Sequence, residues 1–176
     1  EDQRWVVNVK AITHQKEPVI QTLLPGIEVW NSVGLMAEAS IFQTISKQVP
    51  GVKKVYLSHG GCGFYHAYVQ LDPPRNGMGK NAILATFAAF PPLQMVTVVN
   101  SDVDIFNPIE VQQAMATRLR PDQDILLIPK SFGHELNPAT EGGYGGKVGF
   151  DCTYPLPKSS EYEKVTFQEV NLADYL

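Results

Sequence analysis

Apolar residues along this chain fall into two rhythms, and the switches between them mark out its elements. Residues 5–12 alternate and are rich in β-branched side chains, which predicts a strand closing at residues 11–13. Residues 17–26, with Pro18 near one end and Pro25-Gly26 at the other, read as an extended connection. Over residues 32–48, Val33, Ala37, Ile41 and Ile45 recur every four positions, with Met36 on a neighbouring row. That is one face of an amphipathic helix, stopped by Pro50-Gly51. Residues 52–58 and 65–71 predict two strands flanking Gly60-Gly61-Cys62-Gly63, and residues 72–79 form a loop rich in Pro, Gly and Asn. Residues 81–90 predict a largely apolar helix ended by Pro91-Pro92.

The run Val96-Thr97-Val98-Val99 reads as a buried strand that stops at Asn100-Ser101-Asp102-Val103-Asp104. Asn107 then caps a helix over residues 108–119, with Pro108 in its first turn and Glu110 three residues after the cap. Ile125-Leu126-Leu127-Ile128 predicts a further fully apolar strand ended by Pro129. Residues 141–146 read as a flexible glycine loop, and residues 148–152 as a last short strand. From Pro155 the chain is a polar tail in which Val165, Phe167, Val170, Leu172 and Leu176 are scattered anchors that need a surface to dock on. Continuous apolar strands between helices suit a sheet covered on both faces. The expected fold is therefore α/β, a three-layer α/β/α sandwich around a mostly parallel (mixed) sheet, with an extended C-terminal tail.

Length fits one domain over residues 1–176, with neither an internal repeat nor a dividing linker. Hydrophobic residues make up 44% and charged ones 18%, a globular and not a disordered balance. A net charge of −4 without a basic stripe speaks against nucleic acid, and no apolar run is long enough for a bilayer. Two cysteines, Cys62 and Cys152, suit a reducing, cytoplasmic compartment better than a disulfide scaffold. The chain opens on Glu1-Asp2-Gln3 with no initiator Met, which suggests a piece of something longer.

Candidate chemistry is sparse. Asp102 and Asp104 stand at the carboxyl end of a central strand, the edge where open α/β sheets usually bind ligands. Alternate residues of an extended segment share a side, so the pair could chelate Mg²⁺ or Mn²⁺. Equally, they could supply turn hydrogen bonds and negative charge for the next helix. Gly77-Met78-Gly79-Lys80-Asn81 lacks both the earlier glycine and the following Ser or Thr of a P-loop. The Gly60 to Gly63 cluster is either an anion nest or simply the turn between two strands. His14, His59 and His66 have no partner at metal-ligand spacing, whereas His134 follows a buried strand in the irregular Gly133-His134-Glu135-Leu136-Asn137-Pro138. Cys152 reads as core.

Six segments, taken in order, nonetheless resemble one family. They are Lys10-Ala11-Ile12-Thr13, Ala37-Glu38-Ala39-Ser40-Ile41, Gly79-Lys80-Asn81-Ala82-Ile83, Ser101-Asp102-Val103-Asp104-Ile105-Phe106, Ala116-Thr117-Arg118 and Phe150-Asp151-Cys152-Thr153. Together they are similar to the C-terminal domain of UbiD-type decarboxylases, which remove or add CO₂ on aromatic and α,β-unsaturated acids using prenylated FMN. Gln112-Gln113 stands where relatives often carry a Trp. The resemblance implies that the flavin phosphate, its Mn²⁺ (with K⁺) and the Glu-Arg-Glu proton network belong to an upstream domain, so that no catalytic residue lies in this chain and this piece alone is inactive. It implies that the C-terminal domain closes over the flavin, walls the pocket for a small aromatic carboxylic acid and CO₂, and forms much of a homodimer contact. The wall residues it implies here are Asn31, Val33, Pro92, His134 and Leu136, with Asn31 and His134 polar where relatives acting on cinnamic-type acids are apolar. That polarity, with Phe150-Asp151-Cys152-Thr153 resembling members that act on hydroxybenzoates, implies a hydroxybenzoate-type or heteroaromatic substrate. Without the resemblance, the alternatives are a stand-alone metal- or nucleotide-dependent enzyme using Asp102 and Asp104, or a binding and assembly module without chemistry.

Overall fold

A computed structural model describes Gln3, residues 5–163 and Val165. Its strands are β1 (Val52–Leu57), β2 (His66–Leu71), β3 (Met95–Val99), β4 (Ile125–Phe132) and β5 (Tyr144–Cys152). Its α-helices are α1 (Val33–Ile45), α2 (Met78–Ala89) and α3 (Pro108–Arg118), with short 3-10 turns at Ile27–Asn31, His59–Gly61 and Ser160–Tyr162. The strands form one sheet in the order β1-β2-β3-β5-β4. β2, β3 and β5 are mutually parallel, while β1 and β4 join antiparallel at the two edges. The sheet is mixed as expected, with a parallel centre of three strands and an antiparallel strand at each edge.

Period-two alternation sorts side chains to the two faces. Val55, Leu57, Ala67, Val69, Leu71, Val96 and Val98 pack with Ile41, Ile45 and Ile83 of α1 and α2. The intervening Tyr56, Val99 and Cys152 pack with Val111 and Ala114 of α3. Two helices on one face and one on the other give the three layers the pattern predicts. Gly149 of β5 permits the close approach of α2, because a Cβ there would lie 2.2 Å from Ile83 Cγ2.

Three expectations need correction. Residues 5–12 form no strand; the segment is extended with Trp5 fully exposed, and Val6, Val7, Val9 and Ile12 are exposed too. Alternation sets local conformation, but a strand exists only where a neighbour accepts its backbone hydrogen bonds, and none does among the described residues. Pro129 does not end β4. The strand continues through a bulge between Ile128 and Ser131, with Lys130 in the left-handed region at φ 49°, and Leu127 lies on the exposed edge at 71% accessibility. Nor is the glycine segment a loose loop: Tyr144 and Gly145 pair with Phe132 and Ser131, and only Gly142 and Gly143, both at positive φ, make the turn. β1 carries a bulge of its own between Val52 and Lys54. Residues 166–176, with four of the five tail anchors, lie outside the described residues.

His66 on β2 is half-buried and bonds the Thr97 hydroxyl at 2.9 Å, and burial pulls its pKa down from 6.5 to about 4. The unfolded chain therefore takes up a proton below pH 6.5 that the folded one refuses until about pH 4. Stability is full above that window, falls through it, and levels off below it, with ~2 kcal/mol lost between pH 7 and pH 5. Urea midpoints at the two pH values should show this loss in the wild type and its near disappearance in His66→Gln. An equal drop in both would mean that His66 is not responsible.

Candidate functional site

At the carboxyl edge of the parallel strands the two candidate carboxylates do not converge. Arg118 forks onto Asp102, its two terminal nitrogens donating at 3.0 and 2.8 Å to the two carboxylate oxygens. The same guanidinium lies 5.7 Å from the centre of the Tyr154 ring. Asn100 completes the tie, its Oδ1 accepting from the Tyr154 N–H at 2.9 Å and its Nδ2 donating to the Leu71 carbonyl at 3.4 Å. Asp104 accepts from the Phe106 N–H in a local turn, and its own N–H donates to Glu110, which reaches back past the Asn107 cap. The residues that carried the family resemblance here thus fasten α3 and the exit of β5 to the end of β3.

Among the described residues, no group of three or more His, Cys, Asp or Glu side chains could hold a metal ion. The phosphate candidates fare no better. Lys80 Nζ donates to the Gln123 carbonyl. The amides of Gly61, Cys62, Gly63, Phe64 and Tyr65 all donate to Ser58, His59 or Gly61 carbonyls, so the glycine cluster is a self-satisfied turn. Neither Lys80 nor the described amides of the glycine turn is thus set out to receive a flavin phosphate. Cys152, driven to about 12 by burial and by neighbouring Asp151, is a protonated core thiol.

The opposite edge gathers the starts of β2, β3 and β5 and the ends of β1 and β4, and there rings collect. Phe64 meets Phe90 edge-to-face at 5.1 Å and His134 at 4.9 Å, and Tyr65 lies 6.1 Å from His134. Pro92 stands two residues past Phe90 in the turn that leaves α2. His134 Nδ1 accepts the Leu136 N–H at 3.2 Å, which puts the proton of the neutral ring on Nε2. Leu136 itself is 80% exposed.

Asn31 and Val33 join this edge through glycine contacts. A Cβ on Gly34 would lie 2.8 Å from the Gly63 carbonyl oxygen, and one on Gly63 would lie 2.6 Å from Trp30 Cβ. Glu38 secures the arrangement, its Oε1 accepting from Trp30 Nε1 at 2.7 Å and from the Leu57 N–H at 2.8 Å. Asn31 and Val33 are exposed at the start of α1. The contacts of Trp30, Gly34 and Gly63 thus bring Asn31 and Val33 next to the segment that carries Phe64, while Pro92, His134 and Leu136 belong to the turn and loop beside the ring cluster. Phe64 and Phe90 join them unannounced by any motif; the only sequence signal was their place at the two ends of apolar elements.

Residues 31–152 match the sequence profile of the 3-octaprenyl-4-hydroxybenzoate carboxy-lyase C-terminal domain. The chain is 37% identical over 166 residues to an anhydromevalonate phosphate decarboxylase of Methanothermobacter thermautotrophicus, covering 93% of this chain and 39% of that one. The fold superimposes on the UbiD-class enzyme HmfF from Pelotomaculum thermopropionicum, solved in complex with FMN, with a TM-score of 0.79 and 35% identity over 85% of this chain and 34% of HmfF. It also matches 3,4-dihydroxybenzoic acid decarboxylase from Klebsiella pneumoniae, with a TM-score of 0.76 and 30% identity over 84% of this chain and 33% of that one. The chain belongs to the UbiD family of carboxy-lyases and carries its C-terminal domain. It spans under two fifths of the length of the curated relatives it matches first.

Proposed function

We propose that this chain is the substrate-closing domain of a longer, non-oxidative decarboxylase that uses prenylated FMN, with Mn²⁺ and K⁺, on a hydroxybenzoate-type or heteroaromatic acid. The observation that carries this reading is the ring-lined edge built from Phe64, Phe90 and His134, next to Pro92, in a chain that matches the C-terminal domain of the family. A ring-lined edge that also carries a histidine suits a planar acid bearing a hydroxyl or ring heteroatom. The exposed apolar residues of segment 5–24 fit a docking strip for the rest of the longer protein, and the dimer contact belongs to the same whole.

The test compares the full-length protein with the 176-residue chain, each given prenylated FMN, Mn²⁺ and K⁺ and assayed for CO₂ release from hydroxybenzoates, furoates and anhydromevalonate phosphate. Turnover is expected from the full-length protein on the ring acids, and none from the short chain. In the full-length protein, Asn31→Val should change the ratio of kcat/KM between hydroxylated and plain aromatic acids while the flavin stays bound. Turnover by the short chain, or by the long one on the aliphatic phosphate alone, would overturn the assignment.

A further inference from the structure

Two buried polar side chains outside the ring cluster have no role in the reading above, and both reach into the turn that carries Pro92. Lys147 on β5 is 6% exposed, yet no carboxylate among the described residues pairs with it. Its ammonium instead donates to the carbonyls of Pro91 at 2.5 Å and Leu93 at 2.6 Å, 5.3 Å from the centre of the Phe87 ring. A buried cation held only by peptide carbonyls and a ring is an expensive way to fill space, since an apolar chain of the same length would pack there without desolvation. It does, however, fix both sides of one proline. Asn137, also 6% exposed, holds the other half: its Nδ2 donates to Gln94 Oε1 at 2.7 Å, and its Oδ1 accepts from the Ala139 N–H at 3.0 Å. The His134 carbonyl accepts from the Asn137 N–H and from the Thr140 hydroxyl, so the loop bearing His134 closes on Asn137.

Gln94 is the common post. Its backbone N–H donates to the Tyr65 carbonyl, and its carbonyl accepts from the Val148 N–H next to Lys147. A cavity of roughly 10 Å³, the size of one water, lies between these groups, lined by Pro92, Gln94, Asn137 and Lys147 among others.

We infer that Lys147 and Asn137 are positioning residues: they clamp the Phe90–Pro92 turn and the His134 loop to the start of β5, and so set the spacing of the wall that receives the substrate. The inference rests on the decarboxylase reading for its functional part and on the hydrogen-bond pattern for its structural part, and the two are separable by experiment. Burial holds the Lys147 pKa below its ordinary value, as expected for an ammonium whose acceptors are neutral.

The structural arm uses the 176-residue chain and needs no activity. Lys147→Met and Asn137→Asp should both move the His134 ring resonances, which report their distance from the Phe64 ring, and Lys147→Arg should return them towards the wild-type position. The functional arm uses the full-length holoenzyme. There the first two variants should raise KM about tenfold with kcat changed less than threefold and flavin content unchanged, and Lys147→Arg should recover most of the loss. His134 resonances unmoved in both variants would overturn the clamp outright. Resonances that move while KM stays at the wild-type value would overturn its role at the substrate wall. If the longer protein decarboxylates nothing, the resonance shifts still decide the clamp. Should Lys147→Met fail to fold, the near-isosteric Asn137→Asp, which turns a donor into an acceptor facing Gln94, carries both arms.

Discussion

Replacing Arg118 with methionine is expected to destabilise the domain by about 2–3 kcal/mol, short of the ~3–5 kcal/mol for a fully buried ion pair. The Arg118 side chain is 7% exposed and that of Asp102 24%, so water can replace part, but not most, of what the fork supplies. The variant also strips a donor from Asn100 and the cation from the face of Tyr154, loosening the exit of β5. Arg118→Lys keeps the charge but loses the planar fork, and should fall between the two. Urea titration of the three proteins with and without Mn²⁺ checks both the magnitude and the reading. If Asp102 and Asp104 were metal ligands held back by Arg118, Mn²⁺ would restore the methionine variant. The structure predicts no restoration, and a loss below 1 kcal/mol would show that the knot is not what holds α3 in place.

Gly79→Ala is the second large effect. A Cβ at this position would lie 2.1 Å from Asp151 Oδ1 and 2.3 Å from its other carboxyl atoms, far inside contact distance. Asp151 cannot simply swing away. It is buried, its Oδ1 accepts from the Thr153 hydroxyl at 2.7 Å and the Thr153 N–H at 3.2 Å, and burial already raises its pKa. Either α2 lifts from β5 or the carboxylate abandons its partners, so a loss of about 3 kcal/mol is expected from overpacking and broken hydrogen bonds together. Gly60→Ala is the control, since nothing lies within 4 Å of a Cβ there and its φ is not in the left-handed range. Its thermal midpoint should match the wild type, while that of Gly79→Ala falls by many degrees. Equal midpoints would mean that α2 and β5 are not locked together at this point.

Much of the fold was legible because several local signals agreed. Around β3 and α3 the β-branched run, the Asn107 cap and the first-turn Pro108 coincide, and the Asn107 side chain does accept from the Ile109 N–H at 3.1 Å. Residues 144–147 hid a strand because Gly145 and Gly146 have no side chains to display a period, so only pairing with β4 reveals it. Residues 5–12 erred the other way, displaying the period without a partner. The candidate site was legible only through family resemblance. Phe64, Phe90 and His134 are 26 and 44 residues apart in turn, and no spacing rule unites positions that only the sheet order brings together. Asp102 misled for the reason that makes it informative. A carboxylate at a strand end looks the same in sequence whether a cation or an arginine sixteen residues on will claim it.

The bulges in the two outer strands bear on how copies of this domain can meet. Beside the first, Lys53 and Lys54 are exposed; at the second stand exposed Pro129 and Lys130, the proline unable to donate a backbone hydrogen bond. Charged side chains, a missing donor and a kink are the devices that keep an open sheet margin from templating another chain. Both margins are guarded in this way, so growth by continuous strand addition is disfavoured. Contacts between copies are thereby turned towards helix surfaces and loops and away from the sheet margins.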